Sequence, residues 1–277
     1  MISSNFEYFK PGTIQEAINL FHSLRQQGKT PLYYGGGTEI ITLSRINLLH
    51  TDAVIDVNGI PECNSLMVQN QKFILGSCIS LTQAVYQDHF PLLSKTAREI
   101  ADQTARNKIS LGGNICSNIR FKEAILPFLV TEAEVVVATL NGVETLSLKA
   151  AFDEEYQLPL GTLLIQLIVD ERYLSAPYYA NKIRTIGTVG YPVLSINAIK
   201  IDGRLKIAAS GVSTLPIQSE LIDDPLNNGQ FSYTERIKTA IEQWTQPMIN
   251  DIQGSIEYKR FVLERTLHEI FHQLEVE

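Results

Sequence analysis

The sequence predicts an α+β fold. Two tight hairpins lie in its middle and helical patterns lie near both ends, without the strict strand–helix alternation that builds a parallel sheet. The dipeptides Asn141-Gly142 and Asp202-Gly203 carry the hairpins, because both supply the positive φ angles that a two-residue turn needs. A Pro-containing turn at Ser175-Ala176-Pro177 follows a strand, which suggests a larger domain over 1–175 and a smaller one over 176–277.

The first helix is signalled by a capping box. Thr13 and Glu16 have the right spacing, Pro11 and Gly12 precede them, and Ile14, Ala17, Ile18, Phe21 and Leu24 share one face. Gly28 suits the helix exit. A short strand, Leu32–Tyr34, runs directly into Gly35-Gly36-Gly37-Thr38-Glu39, and strand-like runs follow at Ala53–Val57, Leu66–Gln69 and Phe73–Leu75. Pro91–Asp102 reads as a helix with Leu92, Leu93, Thr96, Ile100 and Ala101 inward. The hairpin arms are Glu134–Leu140 with Val143–Leu148, and Val193–Ile201 with Arg204–Ala209. Leu163–Val169 is a further apolar strand. Ser255–Leu274 reads as a long helix with Ile256, Phe261, Val262, Leu267, Ile270 and Phe271 as core positions.

With 44% hydrophobic and 19% charged residues, the chain has an ordinary globular composition. A net charge of −7 and scattered Lys and Arg argue against nucleic acid as a partner. An acidic chain can still hold an anion where backbone N–H groups converge on it. Met1–Lys10 has no apolar run of signal-peptide length, and no window approaches a membrane span, so a cytoplasmic location is expected. Cys63, Cys78 and Cys116 are odd in number and not closely spaced, so reduced thiols are expected and any iron–sulfur cluster has to come from another chain.

Two glycine-rich segments ask for a function. Successive residues without Cβ allow Gly35-Gly36-Gly37 to fold so that several N–H groups point at one phosphate, and Thr38 adds a hydroxyl. Alone, the run reads equally well as a permissive turn. It is neither a phosphate-binding loop with a following Gly-Lys-Ser/Thr nor a G-x-G-x-x-G fingerprint. Ser110-Leu111-Gly112-Gly113-Asn114 repeats the theme after a helix, and two such nests could clamp the two phosphates of a dinucleotide. His268-Glu269-Ile270-Phe271-His272 matches the H-E-x-x-H zinc pattern, but no third ligand follows at the usual spacing. A helix end with two histidines near its negative pole is the simpler reading.

Taken together, these segments carry a resemblance. Tyr33-Tyr34-Gly35-Gly36-Gly37-Thr38-Glu39-Ile40 is similar to the A-G-G-T-D/E loop of the FAD-binding, medium subunits of the molybdenum hydroxylases, the family of xanthine dehydrogenase and carbon monoxide dehydrogenase. Arg106-Asn107, followed by Ser110 to Asn114, resembles the family's R-N-x-A-T-I-G-G-N segment. Asp251 to Arg260 resembles its D-x-R-x-S-x-x-Y-R tail. The resemblance implies a p-cresol methylhydroxylase-type FAD-binding fold, with subdomains of about 1–55 and 56–175, and a small C-terminal α/β domain.

It also implies roles for single residues. Tyr33 to Ile40 would wrap the diphosphate and ribityl part of FAD, and Ser110, Leu111, Gly112, Gly113 and Asn114 would form the second clamp. Glu123 stands where the family has an Asp that contacts the sugar, Ile100 would pack near the flavin, and Leu164 and Lys182 would lie beside the isoalloxazine ring. A Lys182 ammonium there would favour the anionic reduced flavin by charge attraction. Asn118–Lys122 and Arg184–Pro192 depart from the family's pattern. The implied function is electron relay, from a molybdopterin-binding large subunit through a two-cluster iron–sulfur small subunit to this FAD, and then to NAD or another acceptor. Xanthine or another purine is the implied substrate of the complex. A self-contained flavin oxidoreductase, or an assembly subunit that has lost FAD, would share the same fold.

Overall fold

The computed structural model describes residues 5–87, 89–152 and 155–274. In chain order the strands are β1 (Glu7–Phe9), β2 (Pro31–Tyr34), β3 (Ala53–Asp56), β4 (Leu66–Gln69), β5 (Lys72–Gly76), β6 (Glu134–Thr139), β7 (Gly142–Ser147), β8 (Leu163–Asp170), β9 (Tyr178–Ile183), β10 (Leu194–Ile201) and β11 (Arg204–Ser210). The helices are α1 (Ile14–Gln26), α2 (Thr38–Arg45), α3 (Leu81–Tyr86), α4 (Pro91–Arg98), α5 (Gln103–Arg106), α6 (Leu111–Ile115), α7 (Leu126–Val130), α8 (Leu148–Ala151), α9 (Glu220–Leu226), α10 (Tyr233–Glu242) and α11 (Ile256–Leu274). Among the described residues, no helix is long and apolar enough to cross a membrane.

The chain forms two compact units that interleave along the sequence. The first comprises Met1–Tyr86, Asp102–Ser117 and Ala133–Asp170; the second comprises Gln87–Ala101, Asn118–Glu132 and Glu171–Glu277. The last segment of the second unit starts at Glu171. The two earlier segments are not foreseen by a contiguous division, because short pieces that leave one core for another carry no composition shift.

In the first unit, the parallel sheet β1-β3-β2 is covered by α1. Ala17, Ile18, Phe21 and Leu24 pack on Ala53, Ile55 and Val57, the stripe that the 3.6-residue periodicity predicts. Thr13 Oγ1 accepts from Glu16 N at 3.2 Å, while Glu16 Oε2 reaches Gly12 N at 2.9 Å. The return bond of the expected box thus lands one residue before the cap. Gly28, at φ +79°, follows the helix end as expected. The antiparallel sheet β4-β5-β8-β6-β7 contains the Asn141-Gly142 hairpin, so the two sheets fall on either side of residues 57–65, near the expected subdomain division. Continuing the β4–β5 register outward pairs Cys63 with Cys78, whose N–H donates to Cys63 O at 2.8 Å. Two of the three cysteines are therefore neighbours despite their distance in sequence.

In the second unit, the Asp202-Gly203 hairpin joins β10 to β11, and β9 completes an antiparallel sheet. The apolar faces of α9, α10 and α11 pack with the sheet in one core, while α4 lies on β9 and α7 on β10 and β11. The helix expected over Pro91–Asp102 stops at Arg98, because Ala101 takes a left-handed φ of +52° and Asp102 caps α5 through Ala105 N at 2.8 Å. Ile100 therefore lies beyond the helix.

The inward stripe of α11 also differs from expectation. Phe261 is 59% exposed, whereas Lys259 is fully buried on the stripe with Val262, Leu263, Thr266, Leu267, Ile270, Phe271 and Leu274. A lysine can sit there because its charge is matched: Nζ lies 2.9 Å from Asp251 Oδ2 and 2.9 Å from Gly211 O. Arg120 also reaches Asp251, at 2.6 Å. Burial pushes the Asp251 carboxyl up, but the Lys259 hydrogen bond, the Gln253 N–H and the two cations outweigh it and hold it below its usual range.

Asp251→Ala is expected to destabilise the protein by roughly 3–5 kcal/mol in urea unfolding, since it leaves Lys259 buried without a counter-charge. A loss below about 1 kcal/mol would contradict this reading. In the wild type, the Asp251 contribution is present above the unfolded-state carboxyl pKa and is lost as pH falls through the lower folded value.

Candidate functional site

Strand β2 ends at Tyr34, and α2 begins only four residues later, at Thr38. Gly37 caps it at φ +69°, a conformation that costs glycine little, and brings no side-chain oxygen to the first turn. The ring of Tyr34 lies against Gly37, where a Cβ would stand 2.1 Å from Tyr34 Cε2. The triple glycine is thus the entrance of a helix, which the sequence reading had taken as a loop without one.

The second glycine segment is pinned to the chain before α3. Leu81 N donates to Ile109 O at 2.9 Å, Leu111 N to Ile79 O at 2.7 Å, and Gly112 N to Ser77 O at 2.8 Å. A Cβ on Gly112 would stand 2.6 Å from Ser77 Cβ, so this position has no room for one. Ser110 caps α6, its Oγ accepting from Gly113 N at 3.2 Å. This segment is a second helix entrance.

The two entrances meet. Ser110 Oγ also accepts from Gly36 N at 3.2 Å, across 74 residues of sequence. A Cβ on Gly36 would stand 1.8 Å from Lys108 O, and one on Gly35 would stand 2.7 Å from Ser110 Oγ. Glycine is required at both positions by this close approach. The N–H groups of Gly36 and of the first turn of α6 are taken by Ser110 Oγ, Ile79 O and Ser77 O, so the part of this arrangement that suits an anion without Lys or Arg is the first turn of α2.

Two residues of this arrangement escaped the sequence reading. Asp56, at the end of β3, accepts from Asn58 N at 2.9 Å and Asn58 Nδ2 at 2.7 Å, and the same Nδ2 donates to Gly35 O at 2.9 Å. The Tyr8 hydroxyl donates to the other Asp56 oxygen; that bond, with burial and the Asp56 charge, pushes the phenol up to about 12. The readable signal was Asp-x-Asn-Gly directly after a buried strand, an Asx-turn signature.

Other expected site residues are placed as follows. Tyr33 stacks on Phe21 at 4.9 Å and donates to Gly161 O at 3.0 Å, so its side chain belongs to the core and burial pushes its phenol up. Thr38, Glu39 and Ile40 lie half-buried in the first turn of α2. Leu111 and Asn114 are buried in α6, and Leu164 is buried in β8.

Ile100, Glu123 and Lys182 belong to the second unit. There Lys182 Nζ lies 2.8 Å from Glu123 Oε2 and 3.2 Å from Glu99 O, and Ser195 Oγ donates to Glu123 Oε1. Both side chains are more than nine-tenths buried. They border a cavity of about 10 Å³, room for one water. Burial lowers the Lys182 pKa, against the opposing pull of Glu123. Lys182, expected beside the ring as a favourable charge, is one half of a buried ion pair with Glu123.

The segments that depart from the family pattern pack on each other within this unit. Phe121 stacks on Tyr191 at 4.6 Å, and Arg120 lies over the Phe121 ring at 4.9 Å. His268 and His272 are exposed, and Glu269 accepts from Tyr179 Oη at 2.9 Å and Arg265 Nε at 3.3 Å, so the H-E-x-x-H glutamate is committed to structure.

Gly36→Ala is expected to push the 35–37 loop off Lys108, lowering stability by roughly 2–3 kcal/mol and releasing the FAD that the resemblance implies. Gly190→Ala, which meets nothing within 4 Å, serves as the silent control. Calorimetry and flavin absorbance check both, and a Gly36→Ala protein with unchanged melting and flavin would contradict the fit.

Comparison with known proteins supplies the family. The family described as "FAD binding domain in molybdopterin dehydrogenase" matches residues 4–169. The carbon monoxide dehydrogenase medium chain of Hydrogenophaga pseudoflava is 27% identical over 149 residues, 52% of this chain and 51% of that one. The xanthine dehydrogenase FAD-binding subunit of Escherichia coli O157:H7 is 27% identical over 141 residues, 49% of this chain and 47% of that one. The aligned stretch thus spans about half the length of each of these relatives. The fold is shared along the whole chain: a carbon monoxide dehydrogenase from Hydrogenophaga pseudoflava lacking the Mo-pyranopterin moiety superposes with a TM-score of 0.88 at 20% identity, covering 100% of this chain and 99% of that one. The chain belongs to the family of FAD-binding domains of molybdopterin dehydrogenases, and its cofactor is FAD.

Proposed function

We propose that this chain is the electron-relay flavoprotein of a multi-subunit molybdenum hydroxylase that oxidises xanthine or a related purine and delivers the electrons to NAD. The observation that carries the relay is the glycine loop packed on Ser110 at the entrance of α2, where Cβ atoms are excluded at 35, 36 and 112. The first turn of α2 fits a phosphate. Gly35 to Ile40 and Ser110 to Asn114 would hold it, with the Thr38 hydroxyl as a further donor and Tyr33 contributing through its backbone alone. In this reading Ile100, Glu123, Leu164 and Lys182 take the sugar and ring positions that the resemblance assigns. The Glu123–Lys182 pair then presents little net charge to the ring.

Bound FAD accepts electrons one at a time and releases them as a pair. The chain's own residues bind and orient it, and the rest of the chemistry falls to partners. A single iron–sulfur cluster usually takes four thiolates, and this chain has three cysteines, of which Cys63 and Cys78 are buried against each other. Among the described residues, no group of three or more His, Cys, Asp or Glu side chains could hold a metal ion. The clusters and the molybdenum centre therefore belong to a small and a large subunit, as the term "medium chain" for the Hydrogenophaga relative suggests. The purine assignment is supported by the xanthine dehydrogenase relative, while NAD as the acceptor rests on the family resemblance of the glycine segments.

The test is substrate-dependent reduction in the assembled complex. Xanthine is expected to bleach the flavin band and to reduce NAD, and Ser110→Ala is expected to lower the flavin content without removing the partners. An aldehyde, carbon monoxide or an aromatic N-heterocycle as the best substrate would overturn the purine reading. Flavin reduction by a small substrate with the isolated chain alone would overturn the relay reading.

A further inference from the structure

The Gly35–Gly36 peptide is held at both ends. Its carbonyl oxygen accepts from Asn58 Nδ2 at 2.9 Å, and its N–H donates to Ser110 Oγ at 3.2 Å. The two anchors come from different parts of the first unit, one following β3 and the other capping α6. Asn58 is itself fixed on every side: its N–H and side-chain amide both bond Asp56 Oδ1, and its carbonyl accepts from Asn64 Nδ2 at 3.0 Å. Asp56 is buried and takes the Tyr8 hydroxyl on its second oxygen, so the Asn58 side chain has little freedom to turn.

This anchoring answers a specific need. A peptide flanked by two glycines has no Cβ to bias its plane, and the plane turns over at small cost. One face of such a peptide offers an N–H donor and the other a carbonyl acceptor. A carbonyl turned toward a diphosphate repels it, whereas an N–H attracts it. Ser110 alone fixes only the donor end, with a bond near the upper limit of useful length.

We propose that Asn58 is a positioning residue of the FAD site: it holds the Gly35 carbonyl away from the diphosphate, and with Ser110, which takes the Gly36 N–H, it fixes the plane of the Gly35–Gly36 peptide that leads into the entrance of α2. The proposal rests on the FAD-site reading of the glycine loops. It predicts a selective defect, because only ligands that carry a diphosphate sense the plane of this peptide.

The experiment measures binding of FAD, ADP and riboflavin to the full-length chain and to Asn58→Ala, Asn58→Asp, Ser110→Ala and the Asn58→Ala/Ser110→Ala double variant. Asn58→Asp keeps the size of the side chain and cannot donate to Gly35 O, so it serves if the alanine variant does not fold. Both Asn58 variants are expected to weaken FAD and ADP about tenfold and to leave riboflavin unchanged. Once Ser110→Ala has freed the plane, adding Asn58→Ala is expected to cost less than about threefold, since residues acting on one element are not additive. Wild-type affinity for FAD and ADP in the Asn58 variants, an equal loss for riboflavin, or fully additive losses would each overturn the proposal. Wild-type protein that binds neither FAD nor ADP would overturn the FAD-site reading, and this proposal with it.

Discussion

Ser110 Oγ accepts hydrogen bonds from Gly36 N–H and Gly113 N–H, each at 3.2 Å, and much of the first unit is arranged around that one oxygen. For both donors to reach it, the backbone at 35–36 has to lie on the backbone at 108–110, where a single methyl would collide with Lys108 O. For Ser110 to stand there, residues 109–112 have to be hydrogen-bonded to residues 77–81, which in turn requires no Cβ at Gly112. For Gly36 to arrive from the other side, β2 has to end at Tyr34 and α2 has to start at once, through a residue with positive φ. Four glycines, one serine and the parallel strand pair β2–β3 are therefore parts of one constraint. The functional consequence is placement: the entrance of α2, whose first turn suits an anion, is fixed against the segment that leads into α6.

The second unit is organised by a different device, the buried neutral pair. Lys259 and Asp251 set the start of α11 against Gly211 and Arg120, while Lys182 and Glu123 tie β9 to the turn before α7, with Ser195 of β10 completing the carboxylate's bonds. Such pairs cost desolvation and return it only when the geometry is complete, so they contribute more to uniqueness of packing than to net stability. The tail motif that resembles the family's pattern acquires a structural meaning here, since Asp251 and Lys259 both fall within it. The departing segments 118–122 and 184–192 touch through the Phe121–Tyr191 stack.

What the sequence made legible was local. The cap of α1, the exit at Gly28 and both Gly-containing hairpins rest on interactions within a few residues, and all stand at or within a residue of where the sequence places them. Helix α2 was hidden because it has only eight residues and follows directly on three glycines, so no periodicity accumulates. The interleaving of the units was hidden because it depends on which core residues 87–101 and 118–132 join, and no local signal encodes that choice. The site was half legible. The two glycine segments and Ser110 could be named, but the bond between them spans 74 residues, and the pairing that neutralises Lys182 spans 59. The Asx turn at Asp56–Asn58 has a sequence signature, but its bond to Gly35 shows only in the fold.

The most direct test of the central claim is amide hydrogen exchange with and without ADP, read segment by segment on the full-length chain. The account predicts that ADP protects the amides of Gly36 to Ile40 and Ser110 to Asn114 together, at the same ligand concentration, because both belong to one anion site. Protection of only one segment, or of neither while ADP is bound elsewhere, would contradict it.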